Sequence, residues 1–466
     1  MDTDGASLLG TRINDRSARI CVLGLGYVGL PLAVGFASAG YRVTGLDTDP
    51  VKVEAIGRGD SYIGDVSAED LVTATSMGTL EATTDYDILR DMDVIFICVP
   101  TPFDAMKAPD LSAIVNASTG IAQRLRLGQL VILQSTTYPG TTEERVLPIL
   151  EASGLKAGRD FYLAFSPERI NPGDKAHHVG NLPKVVGGLT SQCAALASQL
   201  LAQLWPEVYV VSSPRTAEMS KLLENIFRSV NIALVNELAL LCERMGIDIW
   251  EVIRAAATKP FGFMPFYPGP GTGGHCIPVD PYYLSWKARE YDFYTKFVEL
   301  AAEVNQSMPY HVVDLVIAGL SRHNRVLHGA KILILGVAFK KDVDDARNSP
   351  AERIVELLLE RQASVQYNDP YVQHFRVGHS VFHREETTLA SRPLDENLLR
   401  ETDCVVIVAA HSSYDMGWVA THSRLIIDTV NATHGLAGPH ADIVRLGAPW
   451  KLAGADEVCP SPSSDS

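Results

Sequence analysis

A glycine-rich turn between a short apolar strand and an apolar helix constrains the fold of this chain more than any other feature. The strand covers residues 19–23, a GxGxxG motif occupies 24–29, and the helix continues to Ala39. A second strand at 41–46 ends at Asp47. Strand, glycine motif, helix, strand and acidic residue follow the order of a dinucleotide-binding βαβ unit. The sequence therefore predicts a Rossmann-like domain near the N-terminus.

The residues of this turn have distinct roles. Gly24 forms the tight turn, Gly26 lets the backbone approach a pyrophosphate, and Gly29 allows the helix to pack closely on the strand. The helix N-terminus favours phosphates through its dipole. Asp47 accepts ribose hydroxyls and repels a 2′-phosphate, which favours NAD over NADP. The residues predicted to bind NAD are Gly24, Gly26, Tyr27, Val28, Gly29, Asp47, Thr101 and Thr136.

Composition excludes several classes of protein. The 466 residues are enough for two or three domains of about 100–200 residues each. A formal net charge of -15 argues against a nucleic-acid surface, although a local basic pocket can still bind a small anion. The 7 cysteines lack the spacing of metal ligands, which predicts a reducing cytoplasm and no metal site.

No segment is predicted to enter a membrane. Residues 1–19 are polar and of mixed charge, unlike a secretory signal. The uncharged segment 21–41 is about long enough to span a bilayer, but its glycines and its place after a strand favour the nucleotide-binding turn. Residues 451–466 are predicted to form a disordered tail.

Polar residues follow three further apolar strands. The carboxyl ends of parallel strands form ligand sites, whereas Ser, Thr and Pro are also ordinary turn residues. Three such loops in series favour a site. The strands and the polar residues after them are 94–99 with Thr101, 130–134 with Thr136, and 162–165 with Glu168 and Arg169.

The second half of the chain begins with a long helical pattern at 217–246. Lys221 and Asn225 share one face of that helix and either line a site or form a solvated stripe. Rossmann-like strands follow at 331–335, 363–368, 404–409 and 425–428, without a second GxGxxG motif. Behind the first of them, Lys340 and Arg347 either bind an anionic group or are surface charges.

A second glycine-rich segment, at 271–280, presents Cys276 four residues before Asp280. Glycines let a backbone approach a ligand closely, and a thiol there can act as a nucleophile when its pKa is lowered. The alternative is a structural cysteine in a tight turn. The neighbouring His275 is predicted to be a loop residue rather than a base.

Taken together, these motifs resemble the UDP-glucose/GDP-mannose dehydrogenase family from about Arg19 to Asn431. The sequence around 267–290 is similar to the branch that oxidises UDP-N-acetylglucosamine. The resemblance implies a cytoplasmic NAD-dependent enzyme that oxidises the hexose C6 alcohol to a carboxylate, by four electrons, through a cysteine thioester. The segments that match, in the family's order, are 24–29, 99–102, 135–142, 166–169, 217–225, 271–280 and 339–342.

The resemblance also implies roles for individual residues. Cys276 is the nucleophile, and Lys221 with Asn225 stabilises the developing alkoxide. Glu168 positions or deprotonates the hydrolytic water, through Thr136, and Asp280 orients Lys221 or a water. The predicted substrate-binding residues are Glu168, Arg169, Lys221, Asn225, Tyr267, Gly271, Gly273, Phe339, Lys340 and Arg347.

The expected architecture is α/β, with two Rossmann-like doubly wound domains joined by a long central helix and a helical dimerisation region. The bounds expected are 17–213 for the NAD-binding domain, 214–320 for the helical dimerisation domain and 321–450 for the nucleotide-sugar-binding domain. The expected partners are a nucleotide-diphosphate sugar and a second copy of the chain, as a homodimer or higher homo-oligomer.

Several alternatives stay open. The same chemistry could act on UDP-N-acetylmannosamine, UDP-glucose or TDP-glucose. A two-electron β-hydroxyacid dehydrogenase shares the Rossmann domain and the Lys/Asn pair but has no use for Cys276, and a nucleotide-sugar sensor would bind without turnover. Val279 stands where some family members have Lys, and Val430 where many have Arg, so these two departures bear on the identity of the sugar.

Overall fold

The structure of the chain is a computed structural model that describes residues 3–104, 108–169, 181–274, 277, 279–378, 386–436 and 441–450. It divides into two compact units. The first comprises Met1–Phe227 and Val279–Lys296, and the second holds the other described residues.

The described strands form one large sheet in the first unit and two smaller sheets in the second. In chain order they are β1 Arg19–Leu23, β2 Arg42–Leu46, β3 Leu80–Thr83, β4 Val94–Ile97, β5 Leu130–Leu133, β6 Tyr162–Phe165, β7 Lys184–Gly188, β8 Val208–Val211, β9 Lys331–Leu335, β10 Ser364–Asn368, β11 His374–Val377, β12 Thr387–Ala390, β13 Cys404–Ile407, β14 Leu425–Asp428 and β15 Asp442–Arg445.

The described α-helices include one of 32 residues that contributes to both units. In chain order they are α1 Thr3–Asn14, α2 Gly29–Ser38, α3 Pro50–Arg58, α4 Ala68–Ser76, α5 Ser112–Ala122, α6 Leu147–Glu151, α7 Ser191–Leu201, α8 Pro214–Met245, α9 Ile249–Ala256, α10 Asp280–Ala288, α11 Lys296–Arg322, α12 Pro350–Glu360, α13 Glu396–Glu401 and α14 Met416–His422.

The sheet of the first unit has the order β3-β2-β1-β4-β5-β6-β7-β8. Every neighbouring pair is parallel except β6 and β7, which are antiparallel. Strands β4, β5 and β6 are short continuous apolar runs that are buried at every residue. Such runs are typical of parallel strands whose two faces are both covered by helices.

The second unit repeats this architecture on a smaller scale. Its main sheet is wholly parallel, with the order β10-β9-β13-β14-β15. In both units the turn after the first strand begins with a glycine in the left-handed region, with φ of +88° at Gly24 and +77° at Gly336. A Cβ at Gly24 would lie 2.7 Å from the Cys98 carbonyl oxygen, and one at Gly336 2.2 Å from that of Ala409. Only glycine fits either position.

The predicted α/β class is confirmed, and so are the two Rossmann-like sheets and the long central helix. The uncharged segment 21–41 forms most of β1, the glycine turn and α2. Among the described helices, α8 is long and apolar enough to cross a membrane by length and composition. That is a weak indication, because core helices of soluble proteins pass the same test.

The N-terminal helix α1 was not predicted. It packs on α7, where Gln199 Nε2 donates to the Gly10 carbonyl at 3.0 Å. The Tyr41 hydroxyl also donates to the Ile13 carbonyl at 2.6 Å. Leu9 and Ile13 are buried, so the helix covers part of the first core.

Candidate active site

The glycine turn between β1 and α2 has the geometry of a dinucleotide site. The Leu25 amide donates to Asp47 Oδ2 at 2.8 Å, which fixes the carboxylate at the end of β2. No side chain caps the N-terminus of α2. A Cβ built on Gly26 would meet no atom within 4 Å, so the space beside the turn is open. These residues fit NAD, with the pyrophosphate at the helix N-terminus and the ribose at Asp47.

The equivalent place in the second unit does not suit a ribose. The Val337 amide donates to Asp369 Oδ2 at 2.8 Å, as Leu25 does to Asp47. Asp369 is fully buried, however, and His411 Nε2 lies 3.0 Å from the same oxygen. His411 Nδ1 accepts from the Asp342 amide, so the proton is on Nε2 and is donated to Asp369. Of these two equivalent carboxylates, Asp47 therefore suits a dinucleotide better than Asp369 does.

The loops after β4 and β5 are held together by hydrogen bonds. Thr101 Oγ1 donates to the Thr136 carbonyl at 2.8 Å, and Ser135 Oγ donates to the Val99 carbonyl at 2.7 Å. The Tyr283 hydroxyl donates to the Thr101 carbonyl and ties α10 to the same loop. The polar residues that follow these strands thus meet at one edge of the sheet, as predicted.

A buried amide, a lysine and a carboxylate meet between α8 and α10. Lys221 and Asn225 are 8% and 6% exposed, so the structure excludes a solvated stripe. Asn225 Nδ2 donates to Asp280 Oδ2 at 2.5 Å. Burial raises the pKa of Asp280 to about 7, although the charge of Lys221 and the Asn225 hydrogen bond lower it. Asp280 can therefore exchange a proton near neutral pH.

The pKa of Glu168 is shifted in the opposite direction, below its usual value. Its Oε2 accepts from Lys184 Nζ at 2.9 Å and from Gln134 Nε2 at 2.8 Å, and its Oε1 accepts from the Arg169 amide at 2.7 Å. Burial alone would raise the pKa of Glu168. This effect is outweighed by the charge and hydrogen bond of Lys184, the hydrogen bond from the Arg169 amide and the charge of Lys221, so the pKa is lowered. The pKa values of these two carboxylates are therefore moved in opposite directions.

The Arg169 side chain is engaged within the first unit. Its Nη1 donates to the Pro183 carbonyl at 2.8 Å, and its Nη2 pairs with Glu224 Oε1 at 2.8 Å. The guanidinium therefore joins the residues after β6 to the segment that leads into β7. Its predicted contact with substrate stays a prediction.

Four of the predicted substrate-binding residues lie together in the second unit. A Cβ on Gly273 would lie 2.8 Å from Phe339 Cβ, and the Gly274 amide donates to the Arg347 carbonyl at 3.1 Å. Gly271 has φ of +133° and its Cβ would be 3.2 Å from the Asn305 carbonyl oxygen. The glycine segment thus packs directly on the loop after β9.

Tyr267 and Lys340, the other two residues predicted to bind substrate in this unit, have surroundings of their own. Tyr267 is half exposed and stacks on Trp250, with ring centroids 6.0 Å apart. Lys340 is partly buried in the loop after β9. Arg347 Nη2 pairs with Asp345 Oδ2 at 2.7 Å, which fixes the direction of its side chain.

Two predicted features lie outside the described residues, namely Cys276 with His275 and the tail at 451–466. Val279, three residues after Cys276, is buried in an apolar cluster with Tyr138 and Tyr283. The position where some family members have Lys is therefore part of a small core here. Among the residues that the structure describes, no group of three His, Cys, Asp or Glu side chains could hold a metal.

Lys184 and Gln134 were missed at the sequence level. Lys184 opens an apolar Lys-Val-Val-Gly-Gly run and carries no motif of its own. Gln134 was counted as the end of a strand. Only the pairing of β7 against β6 places Lys184 beside Glu168, and that pairing is not visible in one sequence.

The fold and the site define a dinucleotide-dependent oxidoreductase, and comparisons with known proteins identify its family. Models of the UDP-glucose/GDP-mannose dehydrogenase family match its NAD binding domain over residues 18–205, its central domain over 215–307 and its UDP binding domain over 333–435. The chain belongs to this family and is an NAD-dependent UDP-sugar dehydrogenase.

Individual relatives cover most of the chain. The UDP-N-acetyl-D-glucosamine 6-dehydrogenase of Pseudomonas aeruginosa is 37% identical over 401 residues, 86% of this chain and 92% of the relative. The UDP-N-acetyl-D-mannosamine dehydrogenase of Escherichia coli K12 is 39% identical over 357 residues, 74% and 83% of the two chains. The solved UDP-D-ManNAc dehydrogenase of Pyrococcus horikoshii has a TM-score of 0.82 at 34% identity and covers 92% of this chain and 99% of that one.

Proposed function

We propose that the enzyme oxidises C6 of UDP-N-acetylglucosamine from alcohol to carboxylate in two successive steps, through a thioester on Cys276. The observation that carries the proposal is the buried cluster of Lys221, Asn225 and Asp280 with the ionised Glu168 in the same unit. The glucosamine branch is favoured by the sequence around 267–290 and by the P. aeruginosa relative.

Asp280 is the proton acceptor of the first oxidation. Gly24–Gly29 and Asp47 would hold NAD⁺, which would supply the acceptor for the C6 hydride. Asp280 takes the proton of the C6 hydroxyl, because its pKa of about 7 makes it a base at neutral pH. The product of this step is an aldehyde.

The second oxidation needs a nucleophile, since a bare aldehyde is a poor hydride donor. Cys276 thiolate adds to the aldehyde carbon and forms a tetrahedral alkoxide. The Lys221 ammonium and the second N–H of the Asn225 amide stabilise that oxygen. A second NAD⁺ would accept the second hydride. The resulting thioester is cleaved by water, with Glu168 as the orienting carboxylate. Thr136 is proposed to assist that water.

The sugar nucleotide is proposed to contact residues around the second glycine-rich segment. In the second unit the residues that would bind it are Tyr267, Gly271, Gly273, Phe339, Lys340 and Arg347. We further propose the three-part division at 17–213, 214–320 and 321–450 and a cytoplasmic location. The free, buried state of the five described cysteines supports a reducing compartment.

A panel of UDP and TDP hexoses, with and without the N-acetyl group, tests the choice of substrate by NADH absorbance. We expect the highest kcat/KM for UDP-N-acetylglucosamine. UDP-N-acetylmannosamine is the second candidate, because the E. coli and P. horikoshii relatives carry that name. A higher kcat/KM for UDP-N-acetylmannosamine would identify that sugar nucleotide as the substrate instead.

The pH dependence of the first oxidation tests the role of Asp280. In a Cys276→Ser background, which removes the thiol titration, the rate of the first NADH burst should fall about tenfold per pH unit below about pH 7. The direction follows from the sign of the shift, since a raised pKa leaves Asp280 protonated and inactive as a base on the acid side. Adding Asp280→Asn should slow the burst and flatten this profile. If the rate of the double variant still falls below about pH 7 as before, a group other than Asp280 is the base.

A second copy of the chain is proposed to cover an apolar stripe on α8. Large apolar side chains recur along this helix every three, four or seven positions and are 37–61% exposed. This spacing is typical of a helix that packs along a partner helix. The residues of the stripe are Met219, Leu223, Phe227, Leu234, Leu238, Leu241 and Met245.

Leu238→Arg is expected to dissociate the oligomer, because a two-fold interface would bring the two new charges together. Sedimentation velocity measures the change. Val72→Arg, at an exposed apolar position on α4, is the matched control and should leave the oligomer intact. A wild-type monomer, or a Leu238→Arg variant that keeps the wild-type mass, would contradict the proposed interface.

A further inference from the structure

Lys184 reaches Glu168 because of the one antiparallel pair in the first sheet. Strands β6 and β7 are antiparallel, with Ala164 opposite Gly188 and Phe165 opposite Gly187. The amino end of β7 therefore lies at the carboxyl end of β6. Lys184 is the first residue of β7, and Glu168 follows the end of β6 by three residues.

The contact is a buried ion pair. Lys184 Nζ is 2.9 Å from Glu168 Oε2, and the lysine side chain is 2% exposed. The ammonium also lies 4.5 Å from the centroid of the Trp205 ring. Gln134 donates to the same carboxylate oxygen. Removal of one partner from such a pair leaves an uncompensated charge in the protein.

The charged and titratable groups around Glu168 come from several elements. Lys184 on β7 and Lys221 on α8 are positive and favour the carboxylate. Cys98, after β4, is also close, but burial raises the pKa of its thiol, so it stays neutral. The Arg169 guanidinium is directed to Glu224 and Pro183 instead. Lys184 is thus a cation in direct contact with Glu168.

We propose that Lys184 is a positioning residue for thioester hydrolysis, which keeps Glu168 ionised and oriented toward the attacking water. The inference rests on the proposed function. In this step the water oxygen bonds to the thioester carbon and the carbon–sulfur bond breaks. The products are the uronate, the Cys276 thiol and one proton released to solvent. Ionised Glu168 accepts a hydrogen bond from the water and directs its oxygen at the carbon.

Lys184→Met tests the proposal by removing the charge while keeping the bulk of the stem. The unpaired buried Glu168 should then take up a proton, so kcat should fall by about tenfold or more at about pH 6.5 and less at about pH 9. KM for the sugar should change little. Both hydride transfers precede the affected step, so the acyl-enzyme should accumulate and be visible by intact mass after an acid quench.

A double-mutant cycle separates this role from general destabilisation. In a Glu168→Gln background, Lys184→Met should add less than about twofold, since residues that act through one another are not additive. Lys184→Arg keeps the charge and should retain the wild-type pH profile. Arg126→Met is the matched control, because Arg126 pairs with buried Asp93 at the amino end of β4. It should lower Tm without accumulating acyl-enzyme.

The outcomes distinguish this inference from the proposed function. A wild-type enzyme that forms no uronate contradicts the proposed function itself. If the wild-type enzyme turns over and Lys184→Met has the wild-type pH profile and acyl-enzyme level, the proposed role of Lys184 is wrong. Full additivity of Lys184→Met with Glu168→Gln would overturn it as well. If Lys184→Met does not fold, Lys184→Gln can replace it, because glutamine removes the charge but keeps a hydrogen-bond donor. Its pH profile and acyl-enzyme level would then be compared with those of the wild type.

Discussion

Replacing Lys221 by methionine is expected to lower kcat by about 10²–10³-fold, the loss typical of removing one group that stabilises a developing oxyanion. Lys221 is buried on α8, one turn before Asn225, and its charge acts on both Asp280 and Glu168. Its loss should also raise the pKa of Asp280 further, because the Lys221 charge lowers that pKa. The acid limb of the first oxidation should therefore move to higher pH.

Stopped-flow NADH measurements across pH check both parts of this prediction. Arg228→Met removes an exposed cation from the same helix and should leave kcat within about twofold. A Lys221→Met enzyme that keeps more than about a tenth of the wild-type kcat would remove Lys221 from the alkoxide site.

Cys276→Ser is expected to reduce steady-state turnover by at least about 10³-fold. A thiolate is accessible near neutral pH, whereas a serine hydroxyl needs a base to become an equivalent nucleophile. The variant should release NADH in a single burst of no more than two per active site and then stop. Rapid-mixing absorbance and product analysis for uronate measure this.

Cys242→Ser is the control for this substitution, since Cys242 is buried in the core of the second unit. It should retain uronate formation. Uronate formation at the wild-type rate by Cys276→Ser would contradict the covalent mechanism.

The first Rossmann unit could be predicted from sequence because its signals are local. The strand at 19–23, the glycine turn and Asp47 are consecutive, and the structure places β1, α2 and β2 within a few residues of the expected bounds. A Cβ at Gly24 or Gly29 would collide with neighbouring backbone atoms. The two glycines alone therefore predict this turn from the sequence.

The electrostatics of the site could not be predicted. Glu168 and Asp280 are both carboxylates in loops or at helix starts, and nothing in their sequence context separates their pKa values. The separation comes from Lys184, which an antiparallel strand brings to Glu168, and from the burial of Asp280 under α8. Both depend on contacts between residues far apart in the chain.

The sequence pattern of α8 predicted one of its faces correctly but not the burial of the other. The spacing predicted that Lys221 and Asn225 share a face, and the structure buries that face. Leu223 and Phe227, which an apolar pattern would place inside, are exposed instead. Sequence periodicity reports that a helix has two faces, but which face meets the core of its own chain is decided by tertiary packing.

The ratio of NADH formed to sugar consumed tests the central claim most directly. Purified enzyme would be given a limiting amount of UDP-N-acetylglucosamine with excess NAD, and the reaction followed to completion with the product identified by mass. Four-electron oxidation predicts two NADH per sugar and a uronate product. One NADH per sugar with an aldehyde or ketone product would contradict it.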